Sequence, residues 1–196
     1  MMIIQPINTF LMINSVKNHS QHKEKILNLI EKMEKSSMME GDDRISNTDW
    51  NLPRKTKREY MDYFLQNIIK EPINKMADYF KCDQWTIPNV WYQQYYKSDY
   101  HDWHLHPDCQ FTNVYFVELP SEENKTEIFD LVQNKTVNYF EIKEGDILTI
   151  PSCFLHRSKA NNNDNQRKTV IAFNTNIFNV DPNKVGVEST LTKINK

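Results

Sequence analysis

Histidine is concentrated in one short stretch of this chain. Three of its six histidines, His101, His104 and His106, fall close together, and His156 stands alone much later. On a β-strand, residues i and i+2 project to the same face, so His104 and His106 would lie side by side. Two histidines from one strand and a third from a distant strand are typical of an iron or zinc site in a β-rich domain. The spacing predicts a metal centre of His104, His106 and His156, without His101, which has the opposite parity.

A candidate partner for an acidic ligand follows His156. Arg167 and Lys168 open a segment of β-forming residues after an asparagine-rich loop. At the start of an inward-facing strand, such a cation would bind the far carboxylate of a dicarboxylic acid, bidentately if arginine and as a compact charge if lysine. Because adjacent strand residues face opposite sides, the sequence leaves the choice between the two open.

The composition is that of a folded globular protein with no strong overall charge. Of 196 residues, 39% are hydrophobic, and 24 basic and 26 acidic residues give a net charge of −2. A nucleic acid or anionic membrane partner is therefore not expected. The basic cluster Arg54–Arg58 is interpreted as a solvated helix start. Three cysteines without a CxxC pair, no signal-peptide pattern and no apolar run of transmembrane length predict a cytoplasmic protein.

Periodicity divides the chain into a helical first half and a β-rich second half. Apolar residues recur at helical spacing from about Ser20 to Ser36, from about Thr56 and from Pro72, with a polar loop over Glu40–Asn51. Short β-branched or aromatic segments separated by turn residues follow. The predicted strands are Val90–Tyr96, Thr112–Leu119, Thr126–Leu131, Thr136–Ile142, Asp146–Ile150, Ser152–Ser158 and Thr169–Ile177.

This order predicts an α+β protein. We expect a double-stranded β-helix, of the jelly-roll or cupin-like type, with N-terminal buttressing helices. The whole chain, 1–196, would form a single domain. Residues 1–85 would supply helical support and loops, 86–180 the β-helix catalytic core, and 181–196 a tail.

The stretch from Trp91 to Asn174 resembles the Fe(II)/2-oxoglutarate-dependent dioxygenase superfamily, in its prolyl-hydroxylase-like branch. It is most similar to the bacterial and phage members of that branch. The matching motifs, in order, are Ser98-Asp-Tyr100, His104-Leu-His-Pro107, Thr112-Asn-Val-Tyr-Phe116, Gly145-Asp-Ile-Leu-Thr-Ile-Pro-Ser152, His156-Arg157, Arg167-Lys168 and Ala172-Phe-Asn174.

The resemblance implies an activity and its cofactors. Fe(II), 2-oxoglutarate and O2 would be used to hydroxylate a substrate, a small molecule or a protein side chain, with release of succinate and CO2. Either Arg167 or Lys168 would anchor 2-oxoglutarate. The substrate and the oligomeric state are left open. Relatives supply hydroxyls or walls of the cosubstrate pocket at the positions of Tyr95, Tyr100, Thr112 and Tyr115.

One ligand and the activity have alternatives. The superfamily's usual pair is His-x-Asp or His-x-Glu, so His106 with Asp108 competes with His104 and His106, which we favour. A three-histidine cupin-type metalloenzyme that does not use 2-oxoglutarate is the nearest rival function. A non-catalytic β-helix binding or structural module is the third. Formation of succinate that depends on 2-oxoglutarate would distinguish the first function from the other two.

Overall fold

The computed structural model describes residues 9–33, 36–40, 43–137, 140–162 and 165–185. Two antiparallel sheets face each other as the walls of a double-stranded β-helix, and helices pack on the outer face of the larger sheet. The expected α+β fold is confirmed. Of the expected tail over 181–196, the part from 186 onward lies outside the described residues.

Within the described residues the chain forms three helices. They are α1 (His19–Glu31), α2 (Glu59–Asn67) and α3 (Lys70–Phe80). Each begins within three residues of its predicted start. The apolar residues on which these predictions were based pack against the larger sheet. None of these helices combines the length and apolar character that crossing a bilayer requires.

The strands form a larger and a smaller sheet, and every named pairing is antiparallel. In spatial order the larger sheet contains β1 (Met12–Ser15), β10 (Asp146–Pro151), β7 (Phe111–Glu118), β12 (Lys168–Phe178), β5 (Val90–Tyr95), β3 (Asp43–Thr48) and β2 (Ser36–Glu40), and β4 (Gln84–Thr86) also pairs with β12. The smaller sheet contains β6 (His101–His104), β11 (His156–Ser158), β8 (Thr126–Asp130) and β9 (Lys135–Val137).

Side chains of the larger sheet alternate between two environments. Ala172 on β12 lies opposite Val114 on β7, and both point into the space between the sheets. The next pair along, Ile171 and Tyr115, points to the helices and is fully buried there. This two-residue repeat decides which residues of each strand can contribute to a site between the sheets.

The polar segment predicted as a loop over Glu40–Asn51 is the main error in the predicted elements. Residues 43–48 form β3, which pairs with β2 and lies beside β5. Its partners on β5 are Gln93 and Gln94, so polar residues face polar residues across this pairing. A strand at this position is held by backbone hydrogen bonds and the buried Ile45, and it lacks the apolar alternation by which strands are recognised.

A buried carboxylate ties the helical half of the chain to the larger sheet. Asp49 is fully buried and accepts hydrogen bonds from Arg58 Nε at 2.7 Å, Tyr60 Oη at 2.7 Å and the Tyr92 backbone N–H at 3.0 Å. Arg58 also donates to four backbone carbonyls of the segment 49–56. The prediction that Arg54–Arg58 is solvated is therefore wrong for Arg58, whose side chain is 11% exposed.

Replacing Asp49 with alanine is expected to lower the free energy of unfolding by about 3–5 kcal/mol, because it leaves the Arg58 guanidinium buried without its counter-ion. Urea denaturation followed by circular dichroism measures the change. Asp78→Ala is the matched control, since that carboxylate is 80% exposed and its loss should cost less than about 0.5 kcal/mol. Equal effects of the two substitutions would contradict a stabilising role for the buried network.

Candidate metal centre

Three imidazoles meet between the two sheets. His104 ends β6, His156 begins β11 directly opposite it, and His106 follows in the loop after β6. Their ring centroids are 4.3 Å apart for His104 and His156, 5.1 Å for His106 and His156, and 5.4 Å for His104 and His106. One ring nitrogen from each lies within 4.8 Å of the others. The structure thus brings together residues that are distant in the sequence.

Each of these rings is oriented by a hydrogen bond at Nδ1. His104 Nδ1 lies 2.7 Å from the Asp102 carbonyl, His156 Nδ1 lies 2.9 Å from the Phe154 carbonyl, and His106 Nδ1 lies 2.8 Å from Asn174 Oδ1. A carbonyl oxygen can only accept, so Nδ1 carries the proton in all three rings. The unprotonated Nε2 atoms are then free to bind a cation.

Burial keeps these histidines neutral at pH 7. It lowers the pKa of all three below the ordinary 6.5, and that of His156 to about 3. Repulsion between neighbouring rings lowers the pKa of His104 and His156 further. A neutral imidazole is the form that binds a metal, so no proton has to be removed before a cation enters.

His101, excluded from the predicted site by its parity, lies in the same cavity. Ser158 pairs with His101 and His156 pairs with His104, so two residues of β6 lie opposite one residue of β11 between these pairs. This bulge cancels the expected alternation and puts His101 and His104 on one face. Their rings stack with centroids 3.7 Å apart and planes inclined by 11°. In the sequence, only the clustering of histidines indicated that His101 could lie near the site, and no sequence pattern indicated the bulge.

Asp108, the alternative ligand, is not brought to the cluster. It is exposed in the turn that follows His106 and is not part of the described group of candidate ligands. The strand ends at His104, so the alternation that would have placed His106 and Asp108 on one face does not continue to them. Pro107 follows directly and lies in the same turn.

A buried ammonium lies in the same cavity as the imidazoles. Lys168 is 2% exposed and its Nζ donates to Ser158 Oγ at 2.8 Å, above the ring of Tyr95 at 5.1 Å. The cavity has a volume of about 40 Å³, and none of the described residues that line it is acidic. Burial without an acidic neighbour among these residues lowers the pKa of Lys168 from 10.5 to about 7.

Arg167 points away from this cavity. Its Nε and Nη2 atoms bind the two carboxylate oxygens of Glu118 at 2.8 and 3.3 Å. Lys168 shares its parity with Val170, Ala172 and Asn174, which face the smaller sheet, and Arg167 has the other parity. Arg167 is therefore not placed to bind a ligand beside the histidines.

The four residues expected to line a cosubstrate pocket separate into two groups. Tyr95 and Thr112 line the cavity. Tyr115 is an odd number of residues from Thr112 on the same strand, so it points to the helices and bonds His19 Nδ1 through its hydroxyl at 2.8 Å. Tyr100 is half-buried before β6 and is not part of the described cavity wall. Of the four, Tyr115 and Tyr100 are thus outside the described cavity wall.

Chemically, the cavity combines three neutral nitrogen donors with one unpaired ammonium. Such a set can hold a divalent cation and, beside it, an anion that reaches from the cation to the ammonium. A protein carboxylate does not compete for either position among the described cavity residues.

Comparisons with known proteins show a similarity over the β-rich part of the chain. Residues 89–174 match the family model described as "Putative 2OG-Fe(II) oxygenase". No curated protein gives a significant sequence match. The solved structures similar to this chain include a 2OG-Fe(II) oxygenase family oxidoreductase from Burkholderia pseudomallei, with a TM-score of 0.63 and 13% identity over 87% of this chain and 86% of the other.

Two further solved structures have 2-oxoglutarate bound. The viral collagen prolyl hydroxylase vCPH from Paramecium Bursaria Chlorella virus-1 has a TM-score of 0.53 and 13% identity over 87% of this chain and 97% of its own. HygX from Streptomyces hygroscopicus, with nickel, 2-oxoglutarate and hygromycin B, has a TM-score of 0.62 and 10% identity over 85% of this chain and 82% of its own. The resemblance seen in the sequence is confirmed: residues 89–174 match the model of the 2OG-Fe(II) oxygenases, and the chain shares its fold with solved prolyl hydroxylases.

Proposed function

We propose that this oxygenase holds Fe(II) with His104, His106 and His156 and binds the far carboxylate of 2-oxoglutarate with Lys168. Dioxygen is the oxidant, and a C–H bond of the substrate is hydroxylated with release of succinate and CO2. The observation that carries this proposal is that the buried ammonium of Lys168 shares one cavity with three neutral imidazoles whose Nε2 atoms can bind a metal.

The donor set fits Fe(II). Neutral imidazole nitrogens suit iron among the first-row metals, and three protein ligands leave positions for a chelating cosubstrate and for dioxygen. The three Nδ1 hydrogen bonds orient the rings before the metal binds, so little entropy remains to be lost on binding. We propose that Asp108 is not a ligand, since it lies exposed in the turn after His106.

The surroundings of Lys168 fit a dicarboxylate. An ammonium buried without a counter-ion is unfavourable, and a bound carboxylate would compensate its burial. Ser158 Oγ fixes the position of Nζ at 2.8 Å, and Tyr95 covers one side of it. The ion pair of Arg167 with Glu118 argues against Arg167 in this role.

When bound, the iron supplies the activation of dioxygen that couples decarboxylation of 2-oxoglutarate to oxidation of the substrate. The protein's own residues bind and orient. Asn174 holds the ring of His106, the Phe154 carbonyl holds that of His156, and Lys168 holds the far end of the cosubstrate. Val114, Val170 and Ala172 line the cavity with apolar surface that excludes water from the reacting groups.

The substrate is either a small molecule or a protein side chain. HygX was solved with hygromycin B, and a prolyl hydroxylase from Trichoplax adhaerens was solved with a peptide fragment. We propose the cytoplasm as the site of action, which the three free cysteines, Cys82, Cys109 and Cys153, support.

Replacing His156 with alanine is expected to weaken Fe(II) binding by more than about 100-fold, because one of three ligands is lost. Anaerobic Fe(II) titration with and without 2-oxoglutarate measures it, through the weak visible charge-transfer band of the iron chelate. His22→Ala is a matched control, since His22 bonds the Tyr63 hydroxyl away from the cavity. Asp108→Ala should leave the titration unchanged. Loss of Fe(II) binding in the Asp108 variant would restore the alternative ligand set.

Lys168→Met is expected to weaken 2-oxoglutarate binding to the Fe(II) protein by about 10- to 100-fold while leaving Fe(II) affinity unchanged, because it removes the carboxylate's ionic partner. Arg167→Met, the adjacent cation, should change 2-oxoglutarate affinity less than about threefold. Anaerobic calorimetry gives both affinities, and succinate formation in air gives the corresponding turnover. A larger effect of the Arg167 variant would reverse the assignment.

Lys168→Met should also stabilise the ligand-free protein at pH 7. The folded-state pKa of Lys168 is about 7 and its ordinary value is 10.5, so the unfolded chain binds more protons between these values. Stability is therefore lost as pH falls from 10.5 towards 7, by up to roughly 1.4 kcal/mol per pH unit. The substitution removes this loss, and urea denaturation at pH 7 should show a gain of about 1–4 kcal/mol that disappears above pH 10.5. A destabilised variant at pH 7 would mean that the ammonium is compensated.

A further inference from the structure

His101 is the fourth imidazole of the cavity and stands outside the group of three candidate ligands. Its ring stacks on His104 and it lines the same space as His156 and Lys168. The stack fixes the plane of the ring but leaves its nitrogens available for other partners. The proposed metal site does not use this residue.

The Nδ1 atom of His101 faces a hydrogen-bond donor, whereas the Nδ1 atoms of the three proposed ligands face acceptors. The donor at His101 Nδ1 is an amide nitrogen, Gln93 Nε2, at 3.5 Å. The Tyr95 hydroxyl donates to Gln93 Oε1 at 2.9 Å, and the N–H₂ group at the other end of this amide faces His101. Both Gln93 and Tyr95 are buried. An amide N–H can only donate, so His101 Nδ1 accepts, and the proton of the neutral ring lies on Nε2.

His101 has neighbours in both parts of the cavity. Its ring stacks on that of His104, and its cross-strand partner on β11 is Ser158. Ser158 Oγ accepts the hydrogen bond of Lys168 Nζ. His101 therefore contacts a proposed metal ligand and pairs with the serine that bonds the lysine, within one cavity.

We propose that His101 is a cosubstrate-binding residue whose Nε2–H donates a hydrogen bond to a carboxylate oxygen of 2-oxoglutarate, with Gln93 as the positioning residue that selects this tautomer. The inference rests on the proposed function, since it requires 2-oxoglutarate to extend from the metal to Lys168. An N–H donor suits an anionic oxygen there, whereas a fourth ring with a free lone pair would compete for the metal.

The tautomer can be measured in the metal-free protein. Long-range ¹⁵N–¹H correlation of ¹⁵N-histidine-labelled protein at pH 7.5 distinguishes Nδ1–H from Nε2–H rings. The expected spectrum has His101 in the Nε2–H form and His104, His106 and His156 in the Nδ1–H form, with signals assigned by single substitutions. In Gln93→Met, His101 should lose its preference for the Nε2–H tautomer. An Nδ1–H form of His101 in the wild type would overturn the proposal.

Binding to the Fe(II) protein provides the second test. His101→Phe keeps a stacking ring without a donor and should weaken 2-oxoglutarate binding by roughly tenfold or more, with Fe(II) affinity unchanged within about threefold. His101→Gln retains an N–H donor, so its affinity for 2-oxoglutarate should lie between those of His101→Phe and the wild type. Anaerobic calorimetry with Fe(II) alone, then with 2-oxoglutarate, gives both affinities.

The outcomes separate this inference from the proposed function. If the wild type binds Fe(II) but not 2-oxoglutarate, the proposed function fails and the role of His101 fails with it. If the wild type binds 2-oxoglutarate and His101→Phe binds it equally well, the role of His101 alone is overturned. Loss of Fe(II) affinity in His101→Phe would overturn it too, because His101 would then be a ligand.

Discussion

The two-residue repeat of the β-strand, interrupted by a bulge in β6, is the constraint on which the site depends. Along β12, Lys168 and Asn174 share the parity that faces the smaller sheet, so one strand supplies both the ammonium and the hydrogen bond that orients His106. Thr112 lies directly opposite Asn174 and contacts the same ring nitrogen at 3.2 Å. The single bulge in β6 adds His101 to this face. A one-residue shift of β12 would instead present Arg167 and remove Lys168 from the cavity.

The charge balance of the cavity follows from the same arrangement. The described wall of the cavity contains imidazoles but no acidic residue, so it offers no negative charge to compensate Lys168. A histidine-histidine-carboxylate site would supply one negative charge beside the metal, and here that charge must come from the ligand. A divalent cation and an ammonium together attract a dianion strongly, because the low dielectric of a buried site enhances the interaction. Three neutral histidines and a lysine without an acidic neighbour in the described wall therefore act together electrostatically.

How much was predictable from the sequence depends on how local each signal is. The histidine spacing predicted the three grouped imidazoles. Only His104 and His156 lie on paired strands, however, and His106 joins them from the loop after β6. The choice between Arg167 and Lys168 required the register of β12. Tyr115 and Thr112 were both expected in the cosubstrate pocket, although residues three apart on a regular strand point to opposite faces. The bulge next to His101 and the polar strand β3 depend on partners distant in sequence, and neither leaves a periodic pattern. Local sequence patterns therefore predicted which residue types lie near the site, whereas strand register determined which side chains point into the cavity.

Strand β5 is one connection between the first half of the chain and the site. Asp49 binds the backbone N–H of Tyr92, and Thr48 Oγ1 donates to the carbonyl of the same residue at 2.6 Å. Tyr92 lies between Trp91 and Gln93, both of which line the cavity, so the hydrogen bonds that dock the helical half also fix the backbone that carries Gln93. The phenol of Tyr60 packs edge-on against Tyr92 and bonds the same carboxylate. A polar network outside the cavity therefore holds in place the amide that orients His101 inside it, which gives the helices a physical connection to the chemistry as well as to the stability of the sheet.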